Sequence, residues 1–188
     1  MKKIIKAEIL IWLAIGLFIL IASCNKKNKP QDLVYNLGAE TTVEYSNAKE
    51  PSQAFKNYWY AGKAEVTSYK LEQARYGEIR NGKAVLIYVT EDFLPNKQVK
   101  ADNRNPNNIS VLKLNATKKF NTGLYPYSIM QSTFYPVSNN QHAIKVTSSM
   151  QEWCGHVYTQ LNNREQFEVR SHSYFDGEGD TSFKLEKT

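Results

Sequence analysis

Cysteine is nearly absent from this chain. Two occur in 188 residues, Cys24 and Cys154. Only Cys154 lies beyond the first 24 residues, and one thiol closes no disulfide within the chain that follows; no Cys-x-x-Cys pair offers a redox or zinc site. The glycine-rich phosphate loops are missing too: there is neither a Walker sequence nor Gly-x-Gly-x-x-Gly. Charge of one sign is not concentrated. The net charge is +6, modest and not gathered into the basic stripe that nucleic acid requires. No apolar run reaches the roughly 20 residues of a membrane-crossing helix; the longest, Ile9 to Ile21, stops short and is preceded by Glu8. Helical periodicity is scarce, and there is no internal repeat.

Twelve tyrosines, with many Asn, Gln, Ser and Thr, are what the sequence does have. That composition suits long strands and a polar, aromatic, hydrogen-bonding surface. At the N-terminus, Lys2, Lys3 and Lys6 precede the apolar run, which closes on Ile21-Ala22-Ser23-Cys24. A basic start, a short apolar region and small residues before a cut site form a secretory signal. With the cysteine placed directly after them, these four residues resemble the lipobox of bacterial lipoproteins. The resemblance implies that Cys24 receives a diacylglyceryl group, that residues 1–23 are removed, and that the new amine is acylated. An uncleaved apolar anchor and an ordinary signal with an incidental cysteine are the alternatives. Cleavage leaves roughly 165 residues carrying +4, enough for one domain with a core. Residues 24–50 read as a tether and 51–188 as a single β-rich domain. Lys26, Lys27 and Lys29 in the tether either meet anionic headgroups, at about 1 kcal/mol each, or are solvated spacer.

The domain opens with one short helix: Pro51 in its first turn, Ala54, Phe55, Tyr58 and Trp59 on one face, and Gly62 ending it. Strand alternation follows. Asn81-Gly82, between two strand-like runs, predicts a hairpin turn. Residues 91–108 read as a long loop, Val111 to Leu114 as a short strand, and Leu124 to Tyr135 as a long aromatic strand that Pro126 confines at its start to an edge or bulge. Ser138-Asn139-Asn140 is a turn, and two further strands meet near Asn162-Asn163. The expected class is mainly β, an antiparallel meander forming a curved sheet or half-open barrel, with one short N-terminal helix. Phe183 and Leu185 begin a new alternation with nothing after it to close it, which raises the reading of a domain truncated at its C-terminal end.

Chemistry-bearing residues are few. In the last hairpin, Trp153, Val157 and Leu161 share a face, as do Phe167, Val169 and Phe175. A three-residue loop, Asn162-Asn163-Arg164, brings both sets to one side and pairs Val157 with Val169. This register places Cys154 opposite His172 and His156 opposite Arg170. Cys154, His156 and His172 are then a candidate zinc or copper site, with Glu152 as a fourth ligand. The competing reading is a free cysteine and two surface histidines. A Cys-His nucleophile lacks a third orienting group. Asp176-Gly177-Glu178-Gly179-Asp180 alternates acids like a calcium loop, but Thr181 and Lys187 occupy the places where an EF-hand has Gly and Glu, so a glycine-rich turn is preferred. Tyr125, Tyr127, Phe134 and Tyr135 are candidate ligand-binding aromatics, unless they fill the core. No cofactor is expected.

Several stretches carry a wider resemblance: Phe55-Lys56-Asn57-Tyr58-Trp59-Tyr60-Ala61-Gly62-Lys63-Ala64-Glu65, Tyr69-Lys70-Leu71-Glu72-Gln73-Ala74-Arg75-Tyr76-Gly77-Glu78, Gln151-Glu152-Trp153-Cys154-Gly155-His156-Val157-Tyr158 and Asn162-Asn163-Arg164-Glu165. They resemble a group of uncharacterised lipoproteins of Bacteroidota such as flavobacteria, often labelled "septum formation inhibitor Maf", whose members continue past the point where this chain stops. True Maf proteins are cytoplasmic α/β nucleotide pyrophosphatases with an early Ser-x-Ser-Pro-Arg motif. This chain has no Ser-Pro pair, so no Maf catalytic residue carries over. Surface-exported lipoproteins of that phylum carry acids soon after the cysteine; the lysines here imply a periplasm-facing position. The resulting expectation is a membrane-anchored envelope lipoprotein with a non-enzymatic binding or structural role. Its partners are the membrane, through the lipid anchor, and an envelope protein or glycan, with no nucleic acid. The alternative is an envelope hydrolase, metal- or Cys-dependent or of the labelled Maf type.

Overall fold

The structure, a computed structural model, describes residues 49–138 and 142–187. The expected signal 1–23, Cys24, most of the expected tether, and Asn139 and Asn140 of the expected turn lie outside the described residues. Among the described residues no helix is long and apolar enough to cross a membrane.

Helix α1 spans Gln53–Trp59. The Ser52 hydroxyl caps it by accepting from the Phe55 N–H at 3.2 Å, one of the donors a helix start leaves unpaired. Pro51 therefore stands just before the cap, not in the first turn as its sequence position predicted. Beyond Tyr60 the chain leaves the helix, and Gly62 takes φ +69°. Trp59 packs this helix on the sheet: its ring meets Tyr88 edge-on at 6.1 Å, and its carbonyl accepts from Thr90 Oγ1 at 2.6 Å.

The strands are β1 (Glu65–Arg75), β2 (Glu78–Leu94), β3 (Val99–Lys100), β4 (Ile109–Thr122), β5 (Tyr125–Pro136), β6 (Lys145–Glu152), β7 (Gly155–Asn163), β8 (Phe167–Ser173) and β9 (Thr181–Leu185). They form one antiparallel meander in the order β1-β2-β4-β5-β6-β7-β8-β9, with β3 hairpinned onto β2. The sheet is not closed, since β1 and β9 each pair on one side only. The mainly-β meander with one short helix is thus the fold. Pro126 pairs with Asn121 of β4 but lies beyond the β5–β6 ladder, which starts at Ser128. A residue without an N–H fits there because no strand on that side needs one.

Four local expectations are corrected. The first hairpin turns at Tyr76-Gly77, with φ +56° and +75°, and Asn81-Gly82 lies inside β2 opposite Glu72 and Leu71. The observed turn closes on Arg75 opposite Glu78, whereas the Asn-Gly turn would have closed on Arg80 opposite Lys83, a repulsive pair. Gly82 is needed for space: a Cβ there would collide with the Lys119 carbonyl and the Phe120 Cβ of β4. The short strand at Val111–Leu114 is part of the fourteen-residue β4, and the supposed loop 91–108 contains the end of β2 and all of β3. In the last hairpin the loop is Arg164-Glu165-Gln166, pairing Leu161 with Val169 and Val157 with Ser173. The apolar residues share a face as predicted, but the register is slid along.

Unbroken ladders keep side-chain alternation in step across all strands. One face carries α1. On the other, the β2–β3 flap reaches over to β7: Gln98, 2% exposed, donates from Nε2 to the Asn163 carbonyl at 2.6 Å and accepts from Asn162 Nδ2. Under the flap sit Phe93, Val111 and Ile144, with Ile109 and Phe134 against them. Helix and flap both belong to one end of the sheet. The other end, where the β1–β2, β4–β5 and β6–β7 hairpins turn, is covered by neither.

Candidate functional site

Alternation sends the four candidate aromatics of β5 to different places. Tyr125, Tyr127 and Tyr135 are on the helix face and Phe134 on the flap face. Phe134 joins the core, 5.1 Å from Phe93. Tyr135 is eight residues beyond Tyr127, about 26 Å along an extended strand. Only Tyr125 and Tyr127 come together, near the hairpin tips.

There they belong to an aromatic line. The Phe120 ring stacks on Tyr127 at 4.8 Å with planes 5° apart. Tyr127 leads to Tyr125 at 5.3 Å, and Tyr125 to Trp153 at 5.3 Å. On the far side of Tyr127, the Arg75 guanidinium stands 4.6 Å from the Tyr76 ring and 5.2 Å from the Tyr127 ring, and the two phenol oxygens are 3.0 Å apart. The floor is buried (Phe120 5%, Tyr127 3%), while the ends stand out of it, Tyr76 69% and Trp153 68% exposed. Both exposed rings occupy two-residue turns, which hold side chains clear of the sheet.

The electrostatics follow from these contacts. The hydrogen bond with Tyr76, then burial, hold the Tyr127 phenol above its usual value, against the opposing pull of Arg75. Arg75 is raised in turn, chiefly by its bond with Tyr127. Desolvation, then the Cys154 side chain, push Tyr125 up to about 12. At neutral pH these phenols are protonated, so the line presents neutral rings flanked by one fixed positive charge.

The Cys154, His156 and His172 trio does not assemble. Cys154 is an exposed free thiol in the β6–β7 turn, where its N–H donates to Tyr125 Oη at 2.7 Å. His156 stands opposite Gln151. His172 stands opposite Tyr158, not Cys154, and its Nδ1 lies 3.3 Å from Asp180 Oδ2. The physical reason is the slid register of the last hairpin. Among the described residues no group of three or more His, Cys, Asp or Glu is placed to hold a metal ion. The Asp176–Asp180 segment is a turn with Gly179 at φ +51°, and Glu178 accepts from the Ser173 hydroxyl at 2.6 Å.

Sequence reasoning missed Arg75, Tyr76, Phe120 and Trp153 as partners of Tyr125 and Tyr127. Tyr76-Gly77 was the one local signal, a turn pair overshadowed by Asn81-Gly82. Comparison with known proteins finds no family model, no curated protein and no solved structure that matches the chain.

Proposed function

We propose that this chain is a lipid-anchored, periplasm-facing lipoprotein of the cell envelope that acts as a non-enzymatic glycan-binding module. The anchorage rests on Ile21-Ala22-Ser23-Cys24 behind a signal-length apolar run and on the resemblance to Bacteroidota lipoproteins. The binding role rests on one observation, the continuous line of rings from Tyr76 through Tyr127 and Tyr125 to Trp153. Tyr and Trp combine a broad apolar body with a polar tip. A sugar ring offers the complement, an apolar face to lie on an exposed ring and hydroxyls for nearby polar groups. Exposed rings at both ends, over a buried and rigid aromatic floor, suit an extended oligosaccharide better than a compact ligand. Arg75, held by two phenols, adds a donor for acidic sugars. The hydrolase alternative has no comparable support: Cys154 sits in an open turn with its backbone N–H taken by Tyr125.

The experiment is titration of the purified protein with a panel of neutral, amino-sugar and acidic oligosaccharides, followed by isothermal titration calorimetry. At least one class is expected to bind, and Trp153→Ala to weaken that binding ten-fold or more while the far-ultraviolet circular dichroism is unchanged. A panel in which no saccharide binds, or binding indifferent to Trp153→Ala, counts against the glycan reading.

A further inference from the structure

On the flap face, toward the uncovered end, three lysines stand in one row across the sheet. Lys70 of β1 is directly opposite Lys83 of β2, and Lys83 directly opposite Lys119 of β4. All three are exposed. Among the described residues none of them has an ion-pair partner. Like charges set directly opposite each other destabilise a ladder, and elsewhere this sheet avoids the arrangement. Arg75 faces Glu78 and Lys184 faces Glu168, and Lys113 reaches Glu91 at 3.2 Å. The repulsive row is therefore an exception confined to one place.

We propose that this row docks on the anionic phospholipid headgroups of the bilayer to which the chain is anchored. Neighbouring strands are about 4.8 Å apart, so the lysines form an open line rather than a pocket, and an extended surface fits it better than a small anion. The row continues over Ser128, Gln151 and His156 without an acid. Glu72, two residues beyond Lys70, is the one carboxylate beside it on the β1–β2 hairpin, which leaves the patch positive. Val66 and Ile79 flank the row along the strands on the same face, each 62% exposed. Aliphatic groups beside lysines suit the boundary between headgroups and acyl chains, where each lysine adds attraction to anionic lipid. The aromatic line lies on the other face of the sheet, so a docked molecule keeps it open to the periplasm.

The test uses the full chain in lipid nanodiscs of neutral phosphatidylcholine, or of phosphatidylcholine with one third phosphatidylglycerol. Disc-bound protein is isolated, briefly acetylated, and read by mass spectrometry at each lysine. Acetylation of Lys70, Lys83 and Lys119 is expected to fall several-fold in anionic discs relative to neutral ones and to recover in high salt. Lys63 and Lys184 should label alike in both. Lys83→Gln is expected to weaken the protection at Lys70 and Lys119, with an unchanged circular dichroism spectrum. Equal labelling in the two discs overturns the proposal, and so does equal protection in neutral discs given inorganic phosphate, which would mark a free-anion site. The inference builds on the bilayer anchorage proposed above, and the outcomes separate the two. Protein that stays with both discs yet labels equally refutes the docking alone, whereas protein that stays with neither refutes both.

Discussion

The phenol of Tyr125 ties two hairpins together, accepting from the Cys154 N–H of the β6–β7 turn while its own strand continues from the β4–β5 turn. Its environment raises it from an ordinary 10.0 to about 12, burial being the first cause. The consequence for stability has a definite sign. Below pH 10 the phenol is protonated in the folded and unfolded chains alike, and its contribution is fully present. Between about 10 and 12 the unfolded chain loses this proton while the folded chain keeps it, so stability falls as pH rises through that window. Tyr125→Phe is expected to flatten the decline in urea midpoint between pH 10 and pH 12. Tyr127 and Tyr158, also raised, keep part of the slope in the variant. An identical pH profile for wild type and variant would show that Tyr125 is not held protonated.

At the scale of elements, the sheet is a single layer whose two faces are each partly covered by one small element. Helix α1 is tied down by Trp59 against Tyr88 and Thr90. The flap holds the opposite face through Gln98, whose backbone, at φ +54°, turns its side chain inward toward β7. Its amide satisfies both Asn162 and the Asn163 carbonyl, and its carbonyl accepts from Lys145 Nζ at 3.1 Å. Gln98→Ala leaves the buried Asn162 amide without this acceptor. Leaving a buried polar group unpaired costs about 1–3 kcal/mol. The variant should therefore shift the urea midpoint down with an unchanged m-value, and hydrogen exchange should speed up first in residues 94–101. A midpoint within error of wild type would mean that the flap does not depend on this amide.

The whole molecule divides its surface by face and end. Helix and flap close one end, and the other presents rings on one side and lysines on the opposite side. Under the reading proposed above, these are two different surfaces of a tethered protein, the rings for a glycan and the lysines for the bilayer. The tether itself is tested at Cys24. Cys24→Ser removes the proposed acyl acceptor, so it should abolish incorporation of labelled fatty acid and processing at this position, while the domain beyond Pro51 folds as before. Wild-type protein that carries no lipid by mass spectrometry would defeat the lipoprotein reading.

Local chemistry was legible in the sequence: the short aromatic helix, the period-two strands, the meander, and the edge position of Pro126. These depend on neighbours within a few residues, and local patterns record them. Register was beyond its reach. In both mispredicted hairpins, β1–β2 and β7–β8, the expected and observed pairings differ by an even number of residues. An even shift keeps every side chain on its face, so the apolar pattern reads the same before and after it. Only the third strand decides, as where β4 leaves no room for a Cβ at Gly82. The slid β7–β8 register dispersed the cysteine and histidines, and the continuous β4–β5–β6 ladders, together with the Tyr76-Gly77 turn, gathered Arg75, Tyr76, Phe120, Tyr127, Tyr125 and Trp153 into one line. Those residues come from three separate stretches of the chain, 75–76, 120–127 and 153, and pairing across strands is what made the stretches neighbours.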